Sequence, residues 1–222
     1  MRVSLPSGTP VEIALPETGP RRGVVLLPDI HGLRPLFDDL AAELAAERGW
    51  AMAVVELFPG LDLPTVDDRF AAVADLDDTR LIGDAVAAAD LLAGEAGVER
   101  IAVIGFCLGG MYAYKAAACR RFDAAVSFYG MIRIPPHWRG PGQQEPLKLL
   151  GEPGTCPVLA IIGDQDPYTP DSDVAELGRF GPLVRPVRFP DADHGFVHDP
   201  QRPAHRPDDA AAAWRAVADF LA

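Results

Sequence analysis

A cysteine in a glycine-rich turn is the residue of this sequence best placed for chemistry. Cys107 stands in the stretch 105–110, between the apolar run 101–104 and the segment 111–118, which has helical composition. A strand, a sharp turn flanked by glycines and a helix together form a nucleophile elbow. The helix dipole favours the thiolate of a cysteine at a helix start. Cys107 is therefore predicted to be a nucleophile, and the alternative is a buried, inert cysteine in a glycine-rich turn.

His194 is the predicted base for this thiol. A thiol nucleophile requires a base, and the base requires an orienting group. His194 follows a predicted strand and precedes the small residue Gly195. The other histidines lack this context, and an isolated histidine in a loop is more often exposed than catalytic; they are His31, His137, His198 and His205.

Asp166 is the acid predicted to orient the histidine. It follows the apolar run 157–162, and Pro167 directly after it makes a sharp turn that lifts the carboxylate from the strand end. Asp164 stands directly after a glycine and is predicted to cap the same turn instead. The choice of acid therefore falls on Asp166.

Two further aspartates, Asp191 and Asp193, compete for this role. They are so close to His194 in sequence that capping of its loop is the simpler function for both. Whether the acid is Asp164 or Asp166, the chain order is nucleophile, acid, histidine. That order is the one found in α/β-hydrolases.

The elements that must position these side chains alternate between apolar runs and helical segments. The predicted central strands are 23–27, 51–57, 101–104, 124–129, 157–162 and 184–189, and the predicted helices are 35–48, 83–93, 111–118, 171–179 and 207–221. This alternation predicts an α/β fold, a mostly parallel sheet with helices on both faces. Residues 2–15 predict short edge strands, and 131–156, rich in Pro and Gly, predict a surface excursion over one edge of the sheet. We expect a single domain spanning residues 1–222.

Composition excludes several classes of function. The formal net charge of −12 argues against a nucleic-acid partner or an anionic membrane surface. No apolar run approaches the length of a membrane span, and no signal-peptide pattern is visible at the N-terminus. The three cysteines cannot all pair, and none of them forms a C-x-x-C zinc motif. We therefore expect a cytoplasmic protein without a metal.

Four stretches carry a resemblance to the dienelactone hydrolase family, and they occur in the family's order along nearly the whole chain: 28–32, 105–110, 163–170 and 194–196. Cysteine in the elbow is the specific signal, because most α/β-hydrolases carry serine there. The resemblance implies the α/β-hydrolase fold and the hydrolysis of an enol-lactone ring. In that reaction the thiol forms an acyl-enzyme and water releases a dicarboxylate. No metal or organic cofactor is implied.

The resemblance also assigns roles to individual residues. Cys107, Asp166 and His194 would form the catalytic triad. The backbone N–H groups of Leu108 and Ile30 would form the oxyanion hole. The Leu108 amide is also expected there from the elbow geometry alone, since it starts the helix after the nucleophile.

Two positions depart from the family's pattern. Asp29 stands where dienelactone-cleaving members carry a glutamate that contacts the resting thiol, and its shorter side chain is expected not to reach Cys107. His198 stands where they carry a carboxylate-binding arginine, so it is expected to bind a substrate carboxylate more tightly as the pH falls. Arg69 corresponds either to a second substrate arginine or to a solvated helix residue.

The resulting prediction is a hydrolase of esters or lactones, acting on a small molecule as a monomer or homodimer. One alternative is a broad carboxylesterase or thioesterase with an apolar pocket. Another is a non-catalytic protein in which Cys107 is a redox-sensing thiol. The predicted pair of Asp166 and His194 argues against the sensor, because a sensor needs no acid to orient a base.

Overall fold

The computed structural model describes residues 1–222 and contains one eight-stranded sheet. The strands are β1 (Arg2–Ser4), β2 (Pro10–Ala14), β3 (Arg22–Leu27), β4 (Trp50–Val55), β5 (Ile101–Phe106), β6 (Ala124–Phe128), β7 (Val158–Gly163) and β8 (Val184–Phe189). Their spatial order is β1-β2-β4-β3-β5-β6-β7-β8. The six strands β3 to β8 are parallel to one another. Strands β1 and β2 add an antiparallel hairpin at one edge.

Seven α-helices surround the sheet: α1 (Pro35–Arg48), α2 (Val66–Ala72), α3 (Asp78–Ala96), α4 (Leu108–Ala116), α5 (Pro146–Leu150), α6 (Asp171–Leu177) and α7 (Pro207–Phe220). Helices α1 and α7 adjoin each other on one face, whereas α3 and α4 pack together on the other. The predicted α/β architecture is confirmed. None of these helices combines the length and the apolar composition needed to cross a membrane.

Burial explains why the central strands are apolar apart from Arg22 and Ser127. Every residue of β3 to β7 is buried, because helices cover both faces of this part of the sheet. The edge strand β8 instead mixes buried and exposed positions. Continuous apolar runs in the sequence therefore mark the strands that lie at the centre of the sheet.

Two helices begin earlier than the sequence pattern predicts. Helix α3 starts at Asp78 rather than at 83, because the Asp77 carboxylate caps it and accepts a hydrogen bond from the Arg80 N–H (2.9 Å). Helix α4 starts at Leu108 rather than at 111, because the glycines of the elbow already form its first turn. The nucleophile candidate Cys107 therefore immediately precedes the helix.

The segment 131–156 joins β6 to β7 and is irregular except for α5 and a single 3₁₀ turn, Pro136–Trp138. Met131 and Trp138 of this segment line the same pocket as Cys107. The predicted excursion therefore covers the carboxyl ends of the parallel strands, which is the edge where the candidate site lies.

Candidate active site

Cys107 is held on a strained turn between β5 and α4. Its backbone lies at φ 54° and ψ −114°, a conformation that residues with side chains seldom adopt. A Cβ on Gly105 would lie 2.0 Å from the carbonyl oxygen of Gly109, and a Cβ on Gly109 would lie 2.1 Å from that of Leu27. Both glycines are thus required by close backbone contacts, as the sequence predicts.

Two backbone amides beside Cys107 have no hydrogen-bond acceptor in the protein. The N–H groups of Ile30 and Leu108 donate to no protein atom, whereas the neighbouring Gly109 N–H donates to the Pro28 carbonyl (3.0 Å). This last bond holds the loop after β3 against the start of α4. The arrangement leaves two free donors and the positive end of a helix dipole near the sulfur.

The structure brings Asp166 and His194 into direct contact. His194 Nδ1 donates to Asp166 Oδ2 (2.8 Å), and Asp166 Oδ1 accepts from the Tyr168 N–H (2.8 Å). Asp166 is buried in the turn after β7. The competing Asp164 points elsewhere, because its carboxylate pairs with Arg188 (2.6 Å) instead of capping the turn.

The loop of His194 is fixed from several sides. Asp193 caps it by accepting the His194 N–H (2.6 Å), in agreement with the role expected for that aspartate. The rings of Tyr129 and Tyr168 contact the imidazole nearly edge-on, with centroids 5.2 and 5.0 Å from it. The imidazole is therefore restricted to one orientation, and its Nδ1 faces Asp166.

The pKa of His194 reflects both partners of the imidazole. Burial alone would lower it, but the charge of the Cys107 sulfur and hydrogen bonds with Asp166 and Cys107 outweigh burial and raise the pKa to about 10. Cys107 and His194 line the same pocket. Cys107, His194 and Asp166 thus form one group, and each of them lies in the segment that follows a strand: β5, β8 and β7, respectively.

Asp29 belongs to a separate buried cluster and not to this group. Its carboxylate accepts from Arg34 (2.6 and 2.9 Å), from His198 Nε2 (2.9 Å) and from the His31 N–H (3.0 Å). Burial would raise the pKa of Asp29, but the hydrogen bonds from His198 and Arg34 hold it well below its ordinary value. Both oxygens are occupied by these partners, and neither bonds to Cys107.

The structure contradicts the expectation that His198 binds a substrate carboxylate. Its side chain is wholly buried, with Nε2 donating to Asp29 and Nδ1 accepting from the Tyr129 hydroxyl. Its ring also packs against Phe37 and Phe106. Both ring nitrogens are therefore used within the protein, and burial lowers the pKa of His198 although Asp29 opposes this effect.

A pocket of about 180 Å³ opens above Cys107. Most of its wall is apolar, and its lining consists of Asp29, Ile30, His31, Val66, Phe70, Cys107, Met131, Trp138, Tyr168, His194 and Arg202. This volume is small beside the roughly 300–1,000 Å³ of pockets that hold drug-sized ligands. The pocket therefore fits a small substrate.

Two arginines near the pocket have no acidic partner. Arg202 lines the pocket, and neither it nor Arg69 forms a side-chain hydrogen bond or an ion pair within the protein. Arg69 lies over the ring of Phe58 (5.7 Å), with a buried Nη1 that lacks an acceptor. Burial, together with nearby arginines that include these two, lowers the pKa of His31 and so favours its neutral form. The region is thus electropositive within a protein of net charge −12.

Sequence reasoning missed Arg202 and the aromatic wall formed by Phe70 and Trp138. Arg202 follows His194 by eight residues in a loop without periodicity. One indirect signal is Gly195, whose φ of 79° favours glycine and whose backbone lies beside the Arg202 guanidinium. Histidine, cysteine and acidic side chains do not gather in threes anywhere in the geometry of a metal site.

Comparisons with known proteins place the chain in a family. The family model for the dienelactone hydrolase family matches residues 10–222. A "Carboxymethylenebutenolidase" of Rhodococcus opacus is 30% identical over 217 residues, covering 92% of this chain and 82% of the relative. A "Probable 2-oxo-3-(5-oxofuran-2-ylidene)propanoate lactonase" of Bradyrhizobium is 29% identical, covering 92% of this chain and 84% of the relative.

Solved structures agree on the fold. The crystal structure named "Putative Dienelactone Hydrolase from Klebsiella pneumoniae subsp. pneumoniae MGH 78578" superposes with a TM-score of 0.85 at 24% identity. The match covers 100% of this chain and 97% of that one. The fold, the whole-chain family match and the curated relatives lead to one conclusion: this chain is a hydrolase that belongs to the dienelactone hydrolase family.

Proposed function

We propose that this hydrolase cleaves the ester bond of a small anionic lactone through an acyl-enzyme on Cys107. His194 carries the proton and Asp166 orients His194. The observation that supports this most directly is the connected group itself, in which His194 binds Asp166 on one side (2.8 Å) and interacts with Cys107 on the other. A nucleophile, a base and an orienting acid in this relation are the requirements of nucleophilic catalysis.

The first step forms the acyl-enzyme. The Cys107 thiolate attacks the carbonyl carbon, and the electron pair of the C=O bond moves onto oxygen. The free N–H groups of Ile30 and Leu108 stabilise this oxyanion. When the intermediate collapses, the ring C–O bond breaks and protonated His194 donates its proton to the departing oxygen.

The second step restores the enzyme. Neutral His194 removes a proton from water while the water oxygen attacks the thioester carbon. Collapse of this second intermediate breaks the C–S bond and releases a carboxylic acid, which loses its proton to the solvent and becomes a carboxylate. The imidazolium and thiolate are regenerated, and the net reaction consumes one water.

The pocket supports a small, anionic substrate. The name of the Rhodococcus relative describes a butenolide, an unsaturated five-membered lactone, that bears a carboxymethylene group. A ring of this size suits a pocket of about 180 Å³, and a carboxylate suits the unpaired Arg202 at its wall. Arg202 therefore takes the place that sequence reasoning assigned to His198, with Arg69 adding positive potential behind it.

The test is to trap the covalent intermediate and to measure the preference for charge. Rapid quenching followed by mass spectrometry should find the acyl group on Cys107 in the wild type and an accumulated acyl-enzyme in His194→Gln. Arg202→Gln should raise KM for a carboxylate-bearing lactone about tenfold, while a neutral lactone of equal size serves as the control. An acyl group on another residue would refute the mechanism. Equal KM changes for both lactones would refute the anion site.

A broad carboxylesterase is the second candidate, and the apolar lining favours it. Val66, Phe70, Met131 and Trp138 form a wall that binds any small acyl group by burial. Under this alternative, aryl esters without charge would be cleaved as fast as anionic lactones. A comparison of kcat/KM for the two substrate classes separates the candidates.

A further inference from the structure

The roof of the pocket consists of two chain segments that are distant in sequence. We call residues 66–75 and 131–145 the roof segments. Val66 and Phe70 of the first segment and Met131 and Trp138 of the second line the pocket. The rings of Phe70 and Trp138 stack with their centroids 5.7 Å apart. The height of the roof above Cys107 therefore depends on how these two segments are held.

Hydrogen bonds and one close backbone contact join the roof segments to each other. The Gln143 side-chain amide donates to the carbonyl oxygen of Val73. A Cβ on Gly140 would lie 1.6 Å from the carbonyl oxygen of Ala74, so the two backbones meet where only glycine fits. The Asp78 N–H donates to the carbonyl oxygen of Gly142 (3.0 Å). The roof is thus one connected unit that ends at the start of α3.

A buried carboxylate joins this unit to the helix that follows Cys107. Asp78 Oδ2 accepts from the Gln144 N–H (2.7 Å), and Asp78 Oδ1 accepts from Lys115 Nζ (2.8 Å). The Lys115 side chain is 0% exposed and that of Asp78 is 6% exposed. Lys115 lies on α4, eight residues after Cys107, and its ammonium lies over the ring of Tyr112 (4.6 Å).

The proposed reaction does not use this ion pair, and a buried ion pair is a poor device for stability alone. Removing both charges from water costs free energy that their attraction only partly recovers, and apolar residues would pack as well. The pair instead contributes geometric specificity, because each of its hydrogen bonds requires a fixed distance and angle. Here that geometry fixes the distance between the roof and the elbow helix.

We propose that Asp78 and Lys115 are positioning residues that set the height of the roof and thereby restrict the pocket to small acyl groups. The pair acts through the roof and does not touch the substrate. This inference rests on the proposed function only in taking the pocket above Cys107 as the substrate site. Loss of either charge leaves the other buried and unpaired, which forces the roof and α4 apart to admit water.

The test compares Lys115→Met and Asp78→Asn with Arg121→Met. The control breaks the exposed ion pair of Arg121 with Asp90 (2.7 Å), which joins α3 to the turn after α4 but lies outside the roof. Hydrogen exchange is measured in the Cys107→Ala background, so that its result does not depend on turnover. Exchange in both roof segments should rise about tenfold or more in the test variants, with β5 and the control unchanged.

The second measurement is acyl-size preference with otherwise active enzyme. The ratio of kcat/KM for p-nitrophenyl acetate to that for p-nitrophenyl hexanoate should fall about tenfold in the test variants, mainly through KM. Unchanged roof exchange, or a ratio within twofold of the wild type, would overturn the proposal. If Cys107→Ala retained activity, the proposed mechanism would be wrong. The hydrogen-exchange rates and the kcat/KM ratio would still test the role of the ion pair.

A double variant guards against misfolding. Lys115→Met with Asp78→Asn removes both charges, so no buried charge is left unpaired, and the asparagine oxygen can still accept from Gln144. We expect this variant to fold with a relaxed size preference. A wild-type preference in the double variant would show that the charges do not set the roof, and would overturn the proposal even if the single variants failed to fold.

Discussion

Cys107 and Cys156 are both 7% exposed, but their surroundings have little in common. Burial raises the pKa of the Cys156 thiol to about 12, with the charges of Cys119 and Asp123 adding to the shift. Cys107 instead adjoins His194, the start of α4 and two unpaired N–H groups. Equal exposure therefore coexists with one environment that raises the pKa of a thiol and one that supplies a histidine and unpaired N–H donors. Neighbouring groups, and not accessibility, distinguish the two sulfurs.

The direction of the strands creates this difference. Cys107 follows the carboxyl end of β5, whereas Cys156 precedes the amino end of β7. In a parallel sheet these ends lie on opposite edges, and helices begin and loops converge at the carboxyl edge. His194 and Asp166 reach Cys107 because they follow β8 and β7 at that same edge. No base or helix start adjoins the sulfur of Cys156.

The strongest test of the comparison replaces each cysteine by alanine. Cys107→Ala should lower kcat by at least about 10⁴-fold, because the nucleophile is lost. Cys156→Ala should change kcat by less than about twofold, although it removes a sulfur of the same exposure. Thermal unfolding measures whether both variants fold. Similar residual activities in the two variants would remove the distinction between the sulfurs.

A second test asks which carboxylate supports the histidine. Asp166→Asn keeps the size of the side chain but replaces an acceptor oxygen with a donor, which favours the wrong tautomer of His194. We expect kcat to fall about 10²–10⁴-fold. Asp164→Asn is the matched control, since its carboxylate pairs with Arg188 at the surface (2.6 Å) and should matter little. If Asp164→Asn proves the more damaging change, the acid has been wrongly assigned.

The sequence predicted the connected group and failed on the pocket, and both outcomes have physical reasons. Cys107, Asp166 and His194 each follow a strand, and the period and composition of strands are visible in a sequence. Arg202 and Trp138 come from irregular segments, whose path depends on contacts far along the chain. No local pattern predicts that path.

His198 shows how the position of a residue in the sequence can suggest a role that its burial excludes. It stands four residues after His194, where the resemblance implies a residue that binds substrate, but it points inward to Asp29 and Tyr129. A shorter acid at position 29 and an imidazole at position 198 fit together as a buried pair. The two positions are 169 residues apart in sequence, so no local pattern predicts that their side chains meet. The Asp29 carboxylate forms no hydrogen bond with Cys107, and its bonds to Arg34 and His198 are not predictable from its length.

The third test is the pH dependence of a reaction that requires His194 to be protonated. The pKa of His194 is raised to about 10, so the imidazole keeps its proton through neutral pH and loses it above that value. Since the leaving oxygen of a lactone takes this proton, kcat/KM should fall up to about tenfold per pH unit above pH 10. A p-nitrophenyl ester is the control, because its phenolate leaves without a proton and should show a shallower decline. Equal declines would indicate that His194 does not serve as the acid.

The smallest expected effect concerns Asp29, the buried acid of the pocket wall. Its carboxylate is bonded to Arg34, His198 and the His31 N–H, so it does not share a proton with Cys107. Asp29→Glu adds one methylene to a fully occupied site, and the longer carboxylate must move toward the pocket. A negative charge nearer the sulfur disfavours the thiolate. We therefore expect iodoacetamide to label Cys107 about three- to tenfold more slowly in this variant at neutral pH.

Cys156 provides the reference within the same molecule. With a pKa near 12 it should remain almost unlabelled in both proteins, and its labelling should be unaffected by a change at position 29. Slower labelling of Cys107 alone would therefore report a local electrostatic effect and not a general loss of access. If Cys107 reacts equally fast in the wild type and in Asp29→Glu, the extra methylene leaves the carboxylate with Arg34 and His198. The length of the acid at this position would then have no influence on the thiol.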